Sequence, residues 1–339
     1  MKALVFSAIR QLTIQQVPDP SPRPDQAVLK VIGTGICGSD VTGFLGHSPR
    51  RRPPLILGHE VVGTVVSLPP GDWPITVGDR VVANPLQSCG VCEYCRAGKT
   101  NICPHWKLLG MDREEGAFAE YVAVTARNLY RLPSHISNTQ AVMIEPLANG
   151  VHLFALISRH NFGTLAIYGA GTQGILMLCL ARLLGYRDIV VVDSNPARLE
   201  VAEKLGASLQ LNPAEGDPAQ VIREWTQGRG VDIGIDAAGV TATRANLIHT
   251  VRKGGEILLL GLHDAMSAVD FNLLVRNEQR LQGSYGYTEP DFLTSKRLLE
   301  NGDVNLEPWT HVRSLEQGQE AFDHLVQNPG ATLKIVLTP

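Results

Sequence analysis

No stretch of this 339-residue chain is both long and uniformly apolar, no block of it is strongly basic, and no internal repeat divides it. Each absence removes a class of function. Residues 164–185, TLAIYGAGTQGILMLCLARLLG, are about as long as a bilayer-spanning helix, but Gly169, Gly171 and Gly174 interrupt them beside Gln173 and Arg182. They read as a short strand followed by a helix, so no membrane partner is expected. Lys and Arg number 30 against 33 Asp and Glu, a formal charge of −3 with both signs mixed along the chain. That leaves no basic stripe to displace counterions from a phosphate backbone, and nucleic acid is not an expected partner. The opening MKALVFSAIRQLTIQQV has one early lysine and only a short apolar run, without a cleavage-like sequence. It reads as a first strand, and a cytoplasmic protein is expected.

Cysteine is also scarce. Of six in the chain, four fall between positions 89 and 103. A chain of this length with 44% hydrophobic residues can bury a good core without covalent staples, so a metal is favoured over disulfides.

The length suits two domains. Residues 1 to about 148 alternate short Val/Ile-rich runs with Gly/Pro punctuation, as in an irregular β-rich domain, and the PDPSPRP segment at 18–24 reads as a loop. From 164 onward apolar runs alternate with helical stretches. Strands are expected at 164–168, 189–193, 208–211, 231–235, 256–261 and 280–285, forming a parallel, doubly wound α/β sheet. The tail shows helical segments at 289–301 and 314–328 and a last strand at 333–337.

Cys89-x2-Cys92-x2-Cys95-x7-Cys103 brings four thiolates into one short loop, the donor set of a closed structural zinc site. A redox pair would belong at a strand-to-helix turn, and an iron–sulfur cluster also takes four cysteines. Gly90, Gly98 and Pro104 point to an irregular loop, and zinc is the expected occupant. Cys179, mid-way along an apolar helix, reads as a buried core thiol.

Gly169-Ala170-Gly171-Thr172-Gln173-Gly174 follows the run LAIY and opens a helix, which lets backbone amides approach a pyrophosphate. The next strand, IVVVD, ends in Asp193, placed to accept hydrogen bonds from an adenosine ribose. An acid there repels a 2′-phosphate and favours NAD over NADP, with Arg198 as a modifier. A nucleoside-binding fold of another kind, such as a methyltransferase, is the alternative on these residues.

The remaining chemical candidates are weak one by one. His59-Glu60 lacks the second histidine of a zinc protease helix, since Gly63 stands there. Glu145 before Pro146 could simply favour a helix N-terminus. Arg50-Arg51-Arg52 reads as a solvated loop, with recognition of a substrate phosphate or carboxylate as the sharper alternative.

Taken in order, GICGSD, LGHE, the Cys89 to Cys103 lobe, GAFAEY, EPLA and GAGTQG resemble the zinc-containing medium-chain alcohol dehydrogenases over essentially the whole chain, and among them the polyol branch, which includes sorbitol and galactitol-phosphate dehydrogenases. The resemblance implies a GroES-like catalytic domain from residues 1–148 and 287–339 and a Rossmann NAD-binding domain from 149–286. It implies two zinc ions per chain, one catalytic and one structural. Cys37, His59 and Glu145 match catalytic zinc positions, and Glu60 matches a residue that binds the metal or stands beside it. Ser39 matches the hydroxyl that hydrogen-bonds the substrate oxygen, and Asp40 would orient His59 from behind. Thr42 replaces a histidine that many relatives use to pass a proton to solvent.

The implied reaction is hydride transfer from a secondary alcohol of a polyol, sugar alcohol or sugar acid to NAD, with the anionic forms of such substrates included. A threonine or butanediol dehydrogenase is the near alternative, and a non-catalytic dinucleotide-binding protein the distant one. A homodimer or homotetramer is expected through the Rossmann domain.

Overall fold

The computed structural model describes residues 1–112, 114–157 and 163–339. The chain forms two compact units, one from Met1–Ala148 with Tyr287–Pro339 and the other from Asn149–Gly286.

The first unit is built on a seven-stranded sheet. Its strands lie in the order Leu129–Arg131, Arg80–Ala83, Glu60–Ser67, Gln26–Gly35, Lys334–Thr338, Thr310–Ser314, with Tyr121–Thr125 also pairing Gln26–Gly35. Two register shifts, between Val28 and Leu29 and between Val31 and Gly33, bend the long strand, so its first half pairs Tyr121–Thr125 and its last residues pair Lys334–Thr338. Leu29, Val61, Val65, Val81 and Val124 fill one core. A second core gathers Leu4, Phe6, Phe44, Phe118, Phe322 and Leu337. The tail therefore supplies two strands and core residues to this unit. Its second helix is Gly318–Gln327, preceded by a 3-10 turn at Leu315–Gln317, and the expected start at 314 is instead the end of strand Thr310–Ser314.

The second unit carries a six-stranded sheet, parallel throughout, in the order Leu209–Leu211, Ile189–Val192, Leu165–Tyr168, Val231–Asp236, Val251–Leu259, Arg280–Gly283. The first strand in sequence lies third from one edge, the arrangement of a Rossmann sheet. Leu165–Tyr168 and Ile189–Val192 are buried at every position, which is why they read as unbroken apolar runs. The fifth strand starts at Val251 and not at 256. An irregularity in its pairing with Val231–Asp236 absorbs the charged, glycine-containing stretch 252–255 that reads as a turn. Among the described residues no helix is long and apolar enough to cross a membrane. The doubtful stretch 164–185 is the strand Leu165–Tyr168 and the helix Thr172–Leu183.

Candidate functional site

The cysteine lobe is a short excursion closed at its base by the pairing of Leu86–Gln87 with Lys107–Leu108. A helical turn at Glu93–Arg96, capped by Cys92, and a 3-10 turn at Thr100–Ile102 fold the loop back on itself. The sulfurs of Cys89, Cys92, Cys95 and Cys103 come together within 4.8 Å of one another. Cys89 and Cys95 stand 3.9 Å apart and Cys92 and Cys103 3.8 Å. Thiolates about 2.3 Å from a tetrahedral ion are separated by about 3.8 Å, so the donor set fits zinc, whereas a disulfide needs about 2.05 Å. Backbone amides are aimed at the sulfurs. Those of Cys89 and His105 point at the Cys103 sulfur and that of Cys95 at Cys92. The amides of Val91 and Cys92 lower the Cys89 pKa to about 6. Cys179 stands apart from this chemistry: it is partly rather than fully buried, and desolvation pushes its thiol up to about 12.

A second cluster forms in the same unit where Gln26–Gly35 ends. Gly35 pairs with Glu60 across the sheet, so the chain leaving one strand through Cys37 meets the chain entering the other through His59. Cys37 caps the helix Gly38–Phe44. Donor atoms of Cys37, His59 and Glu60 lie within 4.8 Å of one another, with His59 and Glu60 buried. Asp40, fully buried on that helix, ties two of them together: its Oδ2 accepts from the Cys37 backbone amide at 3.1 Å and its Oδ1 lies 3.4 Å from His59 Nδ1. Burial alone would lower the His59 pKa, yet Asp40 and Cys37 together raise it well above the ordinary histidine value. The reverse holds for Asp40, which burial would raise but His59 and Arg51 bring below the ordinary carboxylate value.

Two buried carboxylates border this cluster. A Cβ on Gly35 would fall 2.0 Å from Glu60 Oε2, so only glycine leaves that carboxylate its place. Lys334, 1% exposed, donates to both Glu60 oxygens and to the Ile36 carbonyl. Glu145 lies in the first turn of the helix Ile144–Ala155 and is also buried, so it does more than favour a helix end. It falls outside the group of three donors. Tyr287 donates its hydroxyl proton to Glu145 Oε1 at 2.8 Å. Burial raises the Glu145 pKa, with Glu60 adding to the effect and His59, Tyr287 and Lys334 opposing it.

In the second unit, Gly169 to Gly174 join the strand Leu165–Tyr168 to the helix Thr172–Leu183, capped by Gly171. A Cβ on Gly174 would lie 1.7 Å from the Gly169 carbonyl oxygen, which fixes the tightness of the turn. Thr172 and Gln173 begin the helix. Asp193 closes the next strand: its Oδ2 accepts from Ala170 N at 2.6 Å and its Oδ1 from Asn195 N at 2.7 Å. Arg198 Nη1 would stand 3.8 Å from a Cβ on Gly171.

Residues 23–134 match the alcohol dehydrogenase GroES-like domain and residues 160–301 the zinc-binding dehydrogenase family. Sorbitol dehydrogenase of Bacillus subtilis (strain 168) is 32% identical over 346 residues, 100% of this chain and 97% of that protein. The chain belongs to the zinc-containing medium-chain alcohol dehydrogenases. L-threonine 3-dehydrogenase of Pyrococcus horikoshii is 34% identical to this dehydrogenase over 95% of the chain and 93% of its own length. The crystal structure of galactitol-1-phosphate dehydrogenase from Escherichia coli superposes with a TM-score of 0.91 at 27% identity, covering all of both chains. The chain is thus an NAD(P)-dependent zinc alcohol dehydrogenase of GroES-like and Rossmann architecture.

Three residues at this dehydrogenase's site escape a reading of the sequence. Lys334 and Tyr287 come from the tail, and no local pattern announces Tyr287. Arg51 contradicts the expectation of a solvated loop: it is 4% exposed, with Nε 3.4 Å from Asp40 Oδ1. Its neighbours differ. Arg50 pairs with Asp112 and lies over the Trp106 ring, while Arg52 is exposed and donates to the Pro49 carbonyl. Two of the three are thus committed within the protein, and the triplet is no ready clamp for a substrate anion. Ser39 precedes Asp40 on its helix and is partly exposed. Thr42 turns its hydroxyl to the Gly38 carbonyl of its own helix at 3.0 Å.

Proposed function

We propose that this dehydrogenase oxidises a secondary alcohol of a polyol, sugar alcohol or sugar acid with NAD, using Cys37, His59 and Glu145 as ligands of a catalytic zinc. The observation that supports the reading is the Cys37, His59 and Glu60 donor cluster together with the buried Glu145, which interacts electrostatically with His59 and Glu60. When bound, zinc supplies Lewis-acid polarisation of the alcohol or carbonyl oxygen. Asp40 holds the His59 ring with one nitrogen free for the metal. Ser39 offers its hydroxyl to the substrate oxygen. Glu60, saturated by Lys334, is the reserve carboxylate beside the metal, and Tyr287 fixes the oxygen of Glu145 that it contacts. Cys89, Cys92, Cys95 and Cys103 hold the structural zinc.

Asp193 supports NAD over NADP, because its carboxylate repels a 2′-phosphate. Gly169, Gly171, Thr172, Gln173 and Gly174 form the cradle for the pyrophosphate, with Arg198 beside it. The domain limits follow the two compact units, 1–148 with 287–339 for catalysis and 149–286 for the dinucleotide. The exposed edge strand Arg280–Gly283, with Phe271, Val275 and Leu281 also exposed, supports a homodimer or homotetramer through the Rossmann sheet. A cytoplasmic location accords with the reduced thiolates that zinc requires.

The identity to L-threonine 3-dehydrogenase favours one competing substrate, an amino alcohol. Following NAD reduction with polyols, sugar acids, their phosphates, threonine and butanediol tests both. The expected result is highest kcat/KM on a polyol, sugar alcohol or sugar acid. Preference for threonine overturns the polyol reading, and inactivity on every secondary alcohol overturns both.

A further inference from the structure

We infer that Arg51 is a positioning residue for the catalytic zinc, acting through Asp40 on His59 and Cys37. The inference rests on the zinc ligands proposed above. Asp40 is fully buried and reaches both the His59 ring and the Cys37 amide. A buried carboxylate is held in place by the donors and cations packed against it, and Asp40 has such a partner beyond the ligand residues themselves. Arg51 places its Nε 3.4 Å from the same Asp40 oxygen that faces His59. Burying a guanidinium is costly unless it is paired, and this one is 4% exposed.

The surroundings of Arg51 hold it there. Its backbone amide donates to Ser48 Oγ at 3.2 Å, and the Arg50 carbonyl accepts from the Asp112 amide at 2.8 Å. Its stem lies along the helix that carries Asp40. A Cβ on Gly43 would come within 2.8 Å of Arg51 Cβ and 2.9 Å of its Cδ, so the helix leaves a gap that the arginine fills. Arg51, Asp40 and Gly43 thus make one unit: the helix that begins at Cys37 supplies both the carboxylate and the slot for its counter-charge.

The test is zinc release to a chelating indicator from wild type, Arg51→Met, Arg51→Lys and Gly43→Ala, each as the full zinc-loaded protein. The tetracysteine site serves as the internal reference. Arg51→Met should release one zinc about tenfold faster or more, within the 10–100-fold range typical of residues supporting metal ligands. The second zinc should leave at the wild-type rate. Arg51→Lys should recover part of the loss, and Gly43→Ala, which displaces the stem and leaves the charge, should reproduce the selective acceleration. KM for the dinucleotide should not move. Unchanged release from Arg51→Met overturns the inference, as does acceleration of both phases together with a lower melting temperature, the signature of a general folding role. If Arg51→Met does not fold, Gly43→Ala decides by the same readout. A wild-type protein that holds only one zinc would sink the ligand assignment itself, a result read before any variant is compared.

Discussion

Lys334 Nζ sits 2.7 and 2.8 Å from the two carboxylate oxygens of Glu60, joining residues 274 positions apart in a place water does not reach. Breaking such a pair by removing one partner strands the other charge. Lys334→Met is expected to destabilise the fold by about 3–5 kcal/mol in denaturant titrations. Combining it with Glu60→Leu should return much of that loss, since a well-packed apolar pair can replace a buried ion pair. A single variant as stable as wild type would contradict the pairing.

Removing one thiolate from the lobe should cost a metal ion before it alters chemistry. Cys103→Ser is expected to lower the zinc content from two per chain to one, measured by atomic emission, and to lower the melting temperature. Cys103 is the buried member of the four, so its loss also opens the lobe's packing. Retention of two zinc ions would show that the lobe is not a metal site.

For the dinucleotide, two substitutions separate turn geometry from charge. Gly174→Ala forces a methyl group against the Gly169 carbonyl and should weaken NADH binding more than tenfold in a fluorescence titration. Asp193→Ser removes the carboxylate while leaving a hydrogen-bonding group, and should raise the NADP to NAD ratio of kcat/KM. An unchanged ratio would move the specificity to other residues.

Acid stability in the second unit should depend on Asp232. Burial alone would raise its pKa, but Arg252, Arg229 and the Thr164 amide pull it down to about 2. In the unfolded chain the value is about 3.9. Because the folded value is the lower one, the carboxylate stabilises the fold fully above about pH 4, and that contribution is lost as pH falls through about 2. Asp232→Asn should therefore be less stable than wild type at neutral pH, with the gap narrowing between about pH 4 and 2. A gap that stays constant with pH would mean that Asp232 does not titrate with folding.

What could be read from the sequence follows the distance between partners. The four lobe cysteines lie within one loop, and their spacing among loop-forming Gly90, Gly98 and Pro104 points to a metal site. The glycine turn and Asp193 are likewise close in the chain, separated by one helix and one strand, and each supports the other. Cys37, His59 and Glu145 are scattered and individually unremarkable, and only the order of the surrounding motifs singles them out. Arg51 is hidden inside a charge run, where one buried guanidinium has the same pattern as its two flanking residues. Lys334 left a trace that could have been followed: a lysine opening the otherwise apolar run IVL of a buried strand needs a partner. The start of the fifth Rossmann strand at Val251 was masked by the glycines that an irregular pairing accommodates.

The place of the strand Lys334–Thr338, beside Gln26–Gly35, also sets an order of events during synthesis. Ile36 and Lys334 are 298 residues apart. At ribosomal speeds of about 5–20 residues per second, the early strand waits roughly 15–60 s for its neighbour. The second compact unit is one uninterrupted segment, Asn149–Gly286, and has left the ribosome by then. Glu60 meanwhile waits for Lys334, its partner in the finished fold, so the second unit is complete in sequence before the buried Glu60–Lys334 pair can form.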